Sequence, residues 1–349
     1  MWSCLGTHSR VTGISPFRAP QKGNYILDYL RLLFYFYSMS RSTISAYELN
    51  RRFPRPESAQ KYMEERRWGG KPKCPTCGEA NLVTKLKDAG YYRCPICRLV
   101  FTVRTGTIME RSHIPLDKWL YTYYLVMTAR KGISSLQLAK EIGITQKSAW
   151  FLLHRIRQAC GKKDDDDQNG FLQGIVEADE TYIGGKEANK HEDKKLNAGR
   201  GAVGKIAVLG MRERGGKVRG KVLSSTDAAT IQATVIDAVI PGSTLYTDEH
   251  GSYIGMDLVY DHASVNHSAK EYVNGMAHTN GIESVWAVLK RGFYGVYHSF
   301  SEKHLQRYVD EFSFRLNEGN VKNHTMSRID SLLAKSVGVR IMYKDLVAA

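Results

Sequence analysis

FLQGIVEADETYIGGK, residues 171–186, is the stretch on which the fold turns. Ile175 and Val176 lead an apolar run into Glu177, Ala178 and Asp179, which predicts a strand with a carboxylate near its end. Working outward, KIAVLGMRERGGKVRGKVLSS (205–225) reads as a hairpin turning at Gly215-Gly216 and a further strand. DAATIQATVIDAVI (227–240) has helical apolar spacing, and STLYTD (243–248) returns as a strand that ends in Asp248. Beyond it, NGIESVWAVLKR (280–291) reads as an amphipathic helix with Glu283 in its first turn.

This β-β-β-α-β order, with one acid on the first strand and another on the strand after the helix, matches a ribonuclease-H-like core. Carboxylates at strand ends converge on one edge of the sheet. Mg²⁺ prefers hard oxygen ligands in a near-octahedral set, and two such ions about 3.5–4 Å apart clamp both oxygens of a phosphoryl transfer. Asp179, Asp248 and Glu283 are therefore candidate ligands for Mg²⁺ or Mn²⁺. Glu283 has two roles open to it, because it follows Asn280 by three residues, a capping-box spacing. Asn280 can itself ligate through its amide oxygen. Lys290 falls on the same helix face as Glu283, roughly 10 Å along the axis, where a cation suits a phosphate contact. Trp286 and Leu289 are expected to turn away into the core.

The composition agrees with work on a polyanion. Fifty Lys+Arg against 35 Asp+Glu give 349 residues a net charge of +15, a field that favours phosphate backbones through counterion release. Four of the six cysteines form two CxxC pairs, a pattern suited to a reducing interior and a metal site rather than a disulfide framework. The most apolar run, YILDYLRLLFYFY (25–37), contains Asp28 and Arg31 and falls short of the ~18–20 residues of a membrane span. No small-residue cleavage pattern follows it. The expected location is the cytoplasm, with no membrane partner. Residues 1–38 differ in character from the rest, and Met39 opens a segment that reads as an ordinary N-terminus. The first 38 residues are therefore expected to be a non-native or disordered extension.

CPTC (74–77) and CPIC (94–97) are separated by sixteen residues, a zinc spacing. Cys74, Cys77, Cys94 and Cys97 are the expected ligands of one structural Zn²⁺. The intervening VTKLKDAGYYR reads as two short strands around Asp88-Ala89-Gly90, making a ribbon. Lys71, Lys73, Lys85, Lys87, Arg93, Arg98 and Arg104 surround it, and Tyr91, Tyr92 and Phe101 offer stacking surfaces. A DNA-contacting ribbon and a protein-contacting one are both open. SSLQLAKEIGITQKSAWFLLHRIRQA (134–159) fits a helix-turn-helix, with helices at 135–141 and 145–159. Gly143 serves the turn and Thr145 the N-cap, while Gln146, Lys147 and Ser148 are free to reach bases or phosphates. A helical hairpin that only packs is the alternative.

The expected fold is thus α/β, a ribonuclease-H-like catalytic core preceded by a zinc ribbon and a helical, helix-turn-helix-like segment. Its divisions are the ribbon with its preceding helix at 45–110, the helical DNA-binding segment at 111–161, the catalytic domain at 170–325, and a C-terminal tail at 326–349. An acidic linker, KKDDDDQNG (162–170), separates the second from the third. Lys186, Lys190, Lys194, Lys195 and Arg200 form a basic loop suited to DNA backbone. His267, His278, His298 and His304 are expected to be structural or solvated.

Four stretches carry a more specific resemblance: CPICRLVFTVRTGTIMERSHIPLDKW (94–119), VEADETYIGGK (176–186), YTDEHGSY (246–253), and the long segment from Val265 to Asn317 that contains HTNGIESVWAVLKRGFYGVYHSF. In these the chain resembles DDE-type insertion-sequence transposases of the ISXO-two-like group (insertion-sequence-1595 family) over roughly 70–320. The resemblance implies a zinc ribbon followed by a ribonuclease-H-like domain that cuts and joins DNA with Mg²⁺. Asp179 and Asp248 match the family's first two acids, and 34 residues lie between Asp248 and Glu283. The third position varies in the family and can be an asparagine, at the place of Asn280. The implied partners are terminal inverted repeats and target DNA, with a homo-oligomer in the synaptic complex, in a bacterial, nucleoid-associated setting. A non-enzymatic DNA-binding regulator with a decayed nuclease domain, and a nuclease without strand transfer, are the competing readings.

Overall fold

A computed structural model describes residues 43–88, 90–162, 171–185, 204–265 and 278–348. The extension at 1–38, the acidic linker beyond Lys162, the basic loop at 186–200 and His267 lie outside the described residues.

Two short helices open the described chain, α1 (Ala46–Arg52) and α2 (Pro56–Trp68). Ser45 caps α1 by accepting the Glu48 N–H at 3.1 Å, and Pro56 at the first helical position starts α2 where no N–H is missed. The ribbon follows as three two-residue strands, β1 (Thr84–Lys85), β2 (Tyr92–Arg93) and β3 (Val100–Phe101), antiparallel in sequence order. Its small core is Cys74, Tyr92, Cys94 and Phe101, closed by Trp68 of α2, whose ring meets Tyr92 and Phe101 edge-on at 5.3 and 5.9 Å. Tyr92 and Phe101 are therefore core residues and offer no stacking surface, contrary to expectation. Tyr91 alone of the three is exposed.

Three helices come next, α3 (Leu116–Thr128), α4 (Ser135–Ile142) and α5 (Gln146–Cys160). Between α4 and α5, Gly143 takes φ 62°, a left-handed conformation that costs glycine little. Thr145 then accepts the Ser148 N–H at 3.2 Å as N-cap. The helix-turn-helix thus forms at the expected place. From Ala149 onward α5 is almost entirely buried, so only its first turn faces outward.

The second half is a five-stranded sheet. β4 (Ile175–Ile183), β5 (Ile206–Glu213) and β6 (Val218–Val222) run antiparallel, α6 (Ala228–Ile236) crosses over, and β7 (Thr244–Asp248) and β8 (Asp261–Val265) lie parallel to β4. The strand order β6-β5-β4-β7-β8 is that of a ribonuclease-H-like sheet. Residues of β4, β5 and α6 form the core on one face. On the other face lie α7 (Asn280–Gly292) and α8 (Glu302–Glu318). The outer edge of β6 is covered by amide side chains of α8. Val218 N–H donates to Asn317 Oδ1 and Val222 N–H to Gln306 Oε1, each at 2.8 Å, which satisfies an edge that would otherwise invite a foreign strand.

The segment read as a C-terminal tail is folded. α9 (Thr325–Lys335) buries Met326, Ile329, Leu332 and Leu333 in the same core as α1 to α5, and a short α10 (Tyr343–Val347) follows. Tyr123 and Ser336 share a hydroxyl hydrogen bond at 2.9 Å, and Ile44 N–H donates to Thr325 Oγ1 at 3.2 Å. The helical core is thus assembled from both sides of the sheet in sequence. α5 and α8 join the halves through a buried ion pair, Arg157 Nε to Glu311 Oε2 at 2.6 Å, with Arg315 Nε 3.5 Å from Oε1. Among the described residues no helix is long and apolar enough to cross a membrane.

Candidate active site and metal centre

β4 and β7 pair in parallel with Glu177 opposite Tyr246. Continuing that register two residues puts Asp248 level with Asp179, on strands whose neighbours lie about 4.8 Å apart. Successive strand residues point to opposite faces, so Asp179 looks toward α7 and Glu180 toward the segment after β7. Carboxylate oxygens of Asp179, Glu180 and Asp248 nevertheless all lie within 4.8 Å of one another. Glu180 was absent from the sequence reading, although its signal was there: a second acid directly after the first at a strand end.

Each carboxylate has a defined holder. The Trp286 indole Nε1–H donates to Asp179 Oδ2 at 2.9 Å. The indole is buried in the α7 core yet serves the site, which the expectation of a purely core-facing Trp286 missed. Gly210, opposite Asp179 on β5, makes room for it, since a Cβ there would lie 2.4 Å from the indole. Tyr253 donates its hydroxyl to Glu180 Oε1. His250 N–H donates to Asp248 Oδ1 at 3.1 Å.

Burial, followed by the charges of Asp248 and Glu180, pushes the Asp179 carboxyl up to about 7. Glu180 is likewise raised, chiefly by burial, against the lowering effect of the Tyr253 hydroxyl. Crowded anionic oxygens that resist ionisation fit a divalent cation, which removes their repulsion and satisfies the hard-oxygen preference of Mg²⁺ or Mn²⁺.

The cavity beside these acids has a volume of about 400 Å³ and is lined by Asp179, Glu180, Asp248, Glu283, Trp286 and Lys290 among others. Glu283 and Lys290 come from the exposed side of α7. Asn280 is exposed at the first position of α7 and does not line the cavity. The capping box between Asn280 and Glu283 does not form. Thr279 is the N-cap residue, which makes Ile282 the third helical position, and its N–H is taken by Glu177 at 2.9 Å. Glu283 Oε1 instead accepts the Thr279 hydroxyl at 3.3 Å.

None of the described histidines lines the cavity. His278 Nδ1 lies 3.4 Å from Glu177, and His298 is exposed. His304 is buried beside His154, ring centroids 4.6 Å apart. In the ribbon, the sulfurs of Cys74 and Cys97, Cys77 and Cys94, and Cys77 and Cys97 are separated by 3.5, 3.5 and 3.7 Å. A tetrahedron with Zn–S near 2.3 Å has edges of roughly 3.8 Å, so the four sulfurs fit one Zn²⁺.

Residues 171–317 match the profile of the ISXO2-like transposase domain, and residues 55–100 match that of the transposase zinc-ribbon domain. An uncharacterized protein in transposable element ISH50 of Halobacterium salinarum is 27% identical over 270 residues, covering 74% of this chain and 89% of its own length. An uncharacterized transposase-like protein of Haemophilus influenzae is 28% identical over 108 residues, covering 31% of this chain and 86% of its own. Among solved structures, the pre-cleavage Mos1 transpososome aligns at 13% identity over 58% of this chain and 73% of that one, with a TM-score of 0.26. The chain thus carries a transposase zinc ribbon ahead of an ISXO2-like transposase domain.

Proposed function

We propose that the protein is the transposase of an insertion sequence, binding terminal inverted repeats and catalysing metal-dependent DNA strand cleavage and strand transfer. One observation carries the reading: Asp179 and Asp248, level on adjacent parallel strands, share a single cavity with Glu283 and Lys290. We assign Asp179, Asp248 and Glu283 as ligands of Mg²⁺ or Mn²⁺, with Glu180 as an additional carboxylate. Glu283 is preferred to Asn280 because only Glu283 lines the cavity. Divalent ions held there supply Lewis-acid stabilisation of the attacking and leaving oxygens of an in-line displacement.

The chain's own residues do the rest. Trp286 orients Asp179, and Tyr253 orients Glu180, so the oxygens are held before any ion or substrate arrives. Lys290 offers a cation at the cavity rim for a phosphate of the DNA backbone. Water or a DNA 3′-OH serves as the nucleophile, so no Ser, Cys or Tyr intermediate is required. The net charge of +15 supports a long DNA contact, to which the first turn of α5 and the basic rim of the ribbon contribute. Zn²⁺ holds the ribbon in shape. Synapsis of two element ends calls for a homo-oligomer.

Purified full-length protein incubated with Mn²⁺ and terminal-repeat DNA tests the reading. Asp179→Ala and Asp248→Ala are expected to abolish nicking and joining while binding persists, and Glu283→Gln to cost far more activity than Asn280→Ala. Full activity in either aspartate variant would overturn the assignment. Specific binding with no nicking under any metal would favour a regulator, and nicking without joining a simple nuclease.

A further inference from the structure

Glu177 lies two residues before Asp179 on β4, so both carboxylates face α7. It is 1% exposed and does not line the cavity. Its two oxygens are committed to different partners. Oε2 accepts the Ile282 N–H at 2.9 Å, while Oε1 accepts the Arg214 Nε–H at 3.0 Å and lies 3.4 Å from His278 Nδ1. The Ile282 N–H belongs to the first turn of α7, which has no intrahelical acceptor, and an anion is favoured at that end of the helix dipole.

The surroundings are built around this contact. Arg214 also donates to the His278 carbonyl at 3.2 Å. Arg212, near the end of β5, donates to the Gly281 carbonyl and to Ser284 Oγ. Gly281 permits the close approach, because a Cβ there would lie 2.4 Å from Glu177 Oε2. One helical turn further on, Trp286 donates to Asp179. Two carboxylates two residues apart on one strand therefore pin α7 at positions 282 and 286.

The apolar stripe of Ile282, Val285, Trp286 and Leu289 holds α7 on the sheet, at roughly 1.5–3 kcal/mol per buried side chain. Such contacts are non-directional and leave axial slide and roll poorly defined. Two directional bonds one turn apart define both. We infer that Glu177 is the positioning residue of the third acid, fixing α7 so that Glu283 faces Asp179 and Asp248. This rests on the reading of Glu283 as a metal ligand. Glu177 itself touches neither metal nor substrate.

The test compares full-length, zinc-loaded wild type with Glu177→Ala, Glu177→Gln, Gly281→Ala, Glu283→Ala and the Glu177→Ala/Glu283→Ala double variant. Two readouts are used, amide exchange across 280–286 and titration with Mn²⁺ alone. Glu177→Ala is expected to speed exchange at Ile282 and to weaken Mn²⁺ binding about 10- to 100-fold, the range for an outer-shell partner. In the Glu283→Ala background it should weaken Mn²⁺ no further, because its effect passes through Glu283. Glu177→Gln keeps an acceptor for Ile282 and should recover most of the affinity. Gly281→Ala attacks the same contact from the helix side and should mimic Glu177→Ala, which keeps the test decisive if the latter does not fold. Multiplicative losses in the double variant, or faster exchange with unchanged Mn²⁺ affinity, overturn the inference. Wild-type Mn²⁺ affinity in Glu283→Ala overturns the ligand assignment and the inference with it. A defective Glu283→Ala beside a wild-type Glu177→Ala overturns the inference alone.

Discussion

Metal binding in the cavity beside Asp179, Glu180 and Asp248 should expel a proton. Burial and the neighbouring charges of Asp248 and Glu180 push Asp179 up to about 7, so at mildly acid pH a cation must displace a proton to reach that carboxylate. Apparent Mn²⁺ affinity should rise about tenfold per pH unit below 7 and level off above it, a gain of roughly 30-fold between about pH 5.5 and 8.5. Calorimetric titration in two buffers of different ionisation enthalpy reads the proton directly: close to one released near pH 6 and almost none at pH 8.5. Trp286→Phe removes the donor that favours the ionised form, so the midpoint should move to higher pH.

The same shift has a stability consequence of definite sign. A carboxyl whose folded pKa is raised favours the folded state fully below its unfolded value, 3.8, and loses that contribution as pH rises through about 7. The gap of about 3 units sets an upper bound near 4 kcal/mol. The metal-free protein should therefore weaken from this source between about pH 4 and 7, and saturating Mn²⁺ should remove the decline. An Mn²⁺ affinity independent of pH, with no proton released at pH 6, would refute the reasoning.

Glu311→Gln leaves Arg157 buried without its counter-charge and should cost about 3–5 kcal/mol in denaturant unfolding. Burial alone would raise the Glu311 carboxyl, but Arg157 and Arg315 hold it below the usual range, so its contribution is present above the unfolded value and fades as pH falls through the folded one. Zinc chelation, or Cys94→Ser, should strip amide-exchange protection from β1–β3 while the β4–β8 sheet keeps its own. Gly210→Ala should lower stability by about 1–3 kcal/mol by overpacking against Trp286, with a change in tryptophan fluorescence that a neutral surface substitution would not give.

What was legible in the sequence was what is encoded locally. The apolar runs ending in Asp179 and Asp248 announced two strands, and the order of the elements around them fixed their sheet. Thr145 and Gly143 marked the helix-turn-helix because a cap and a left-handed turn are written in single residues. The two CxxC pairs marked the ribbon through ligand spacing. Periodicity shows that a helix has an apolar face but not which core receives it, so α9 was read as a tail although its Ile329 and Leu332 complete the helical core. Aromatic residues misled for the same reason: Tyr92 and Phe101 looked like stacking surfaces until Trp68 covered them. Glu177 had one signal, a charge inside an apolar strand, but its partners are 37 and 105 residues away. Trp286 combined an apolar body with a polar tip, and only the packing decides where the tip points.

The closure of the helical core by α9 sets an order of events during synthesis. Ile44 and Tyr123 leave the ribosome long before Thr325 and Ser336, to which they are bound in the finished protein. While the remainder is still being translated, the five early helices carry an uncovered apolar groove where Met326, Ile329, Leu332 and Leu333 will seat. The ribonuclease-H-like sheet, whose strands all precede α9, can form before that groove is filled. The helical unit that presents the first turn of α5 is therefore finished last, after the sheet that carries Asp179 and Asp248.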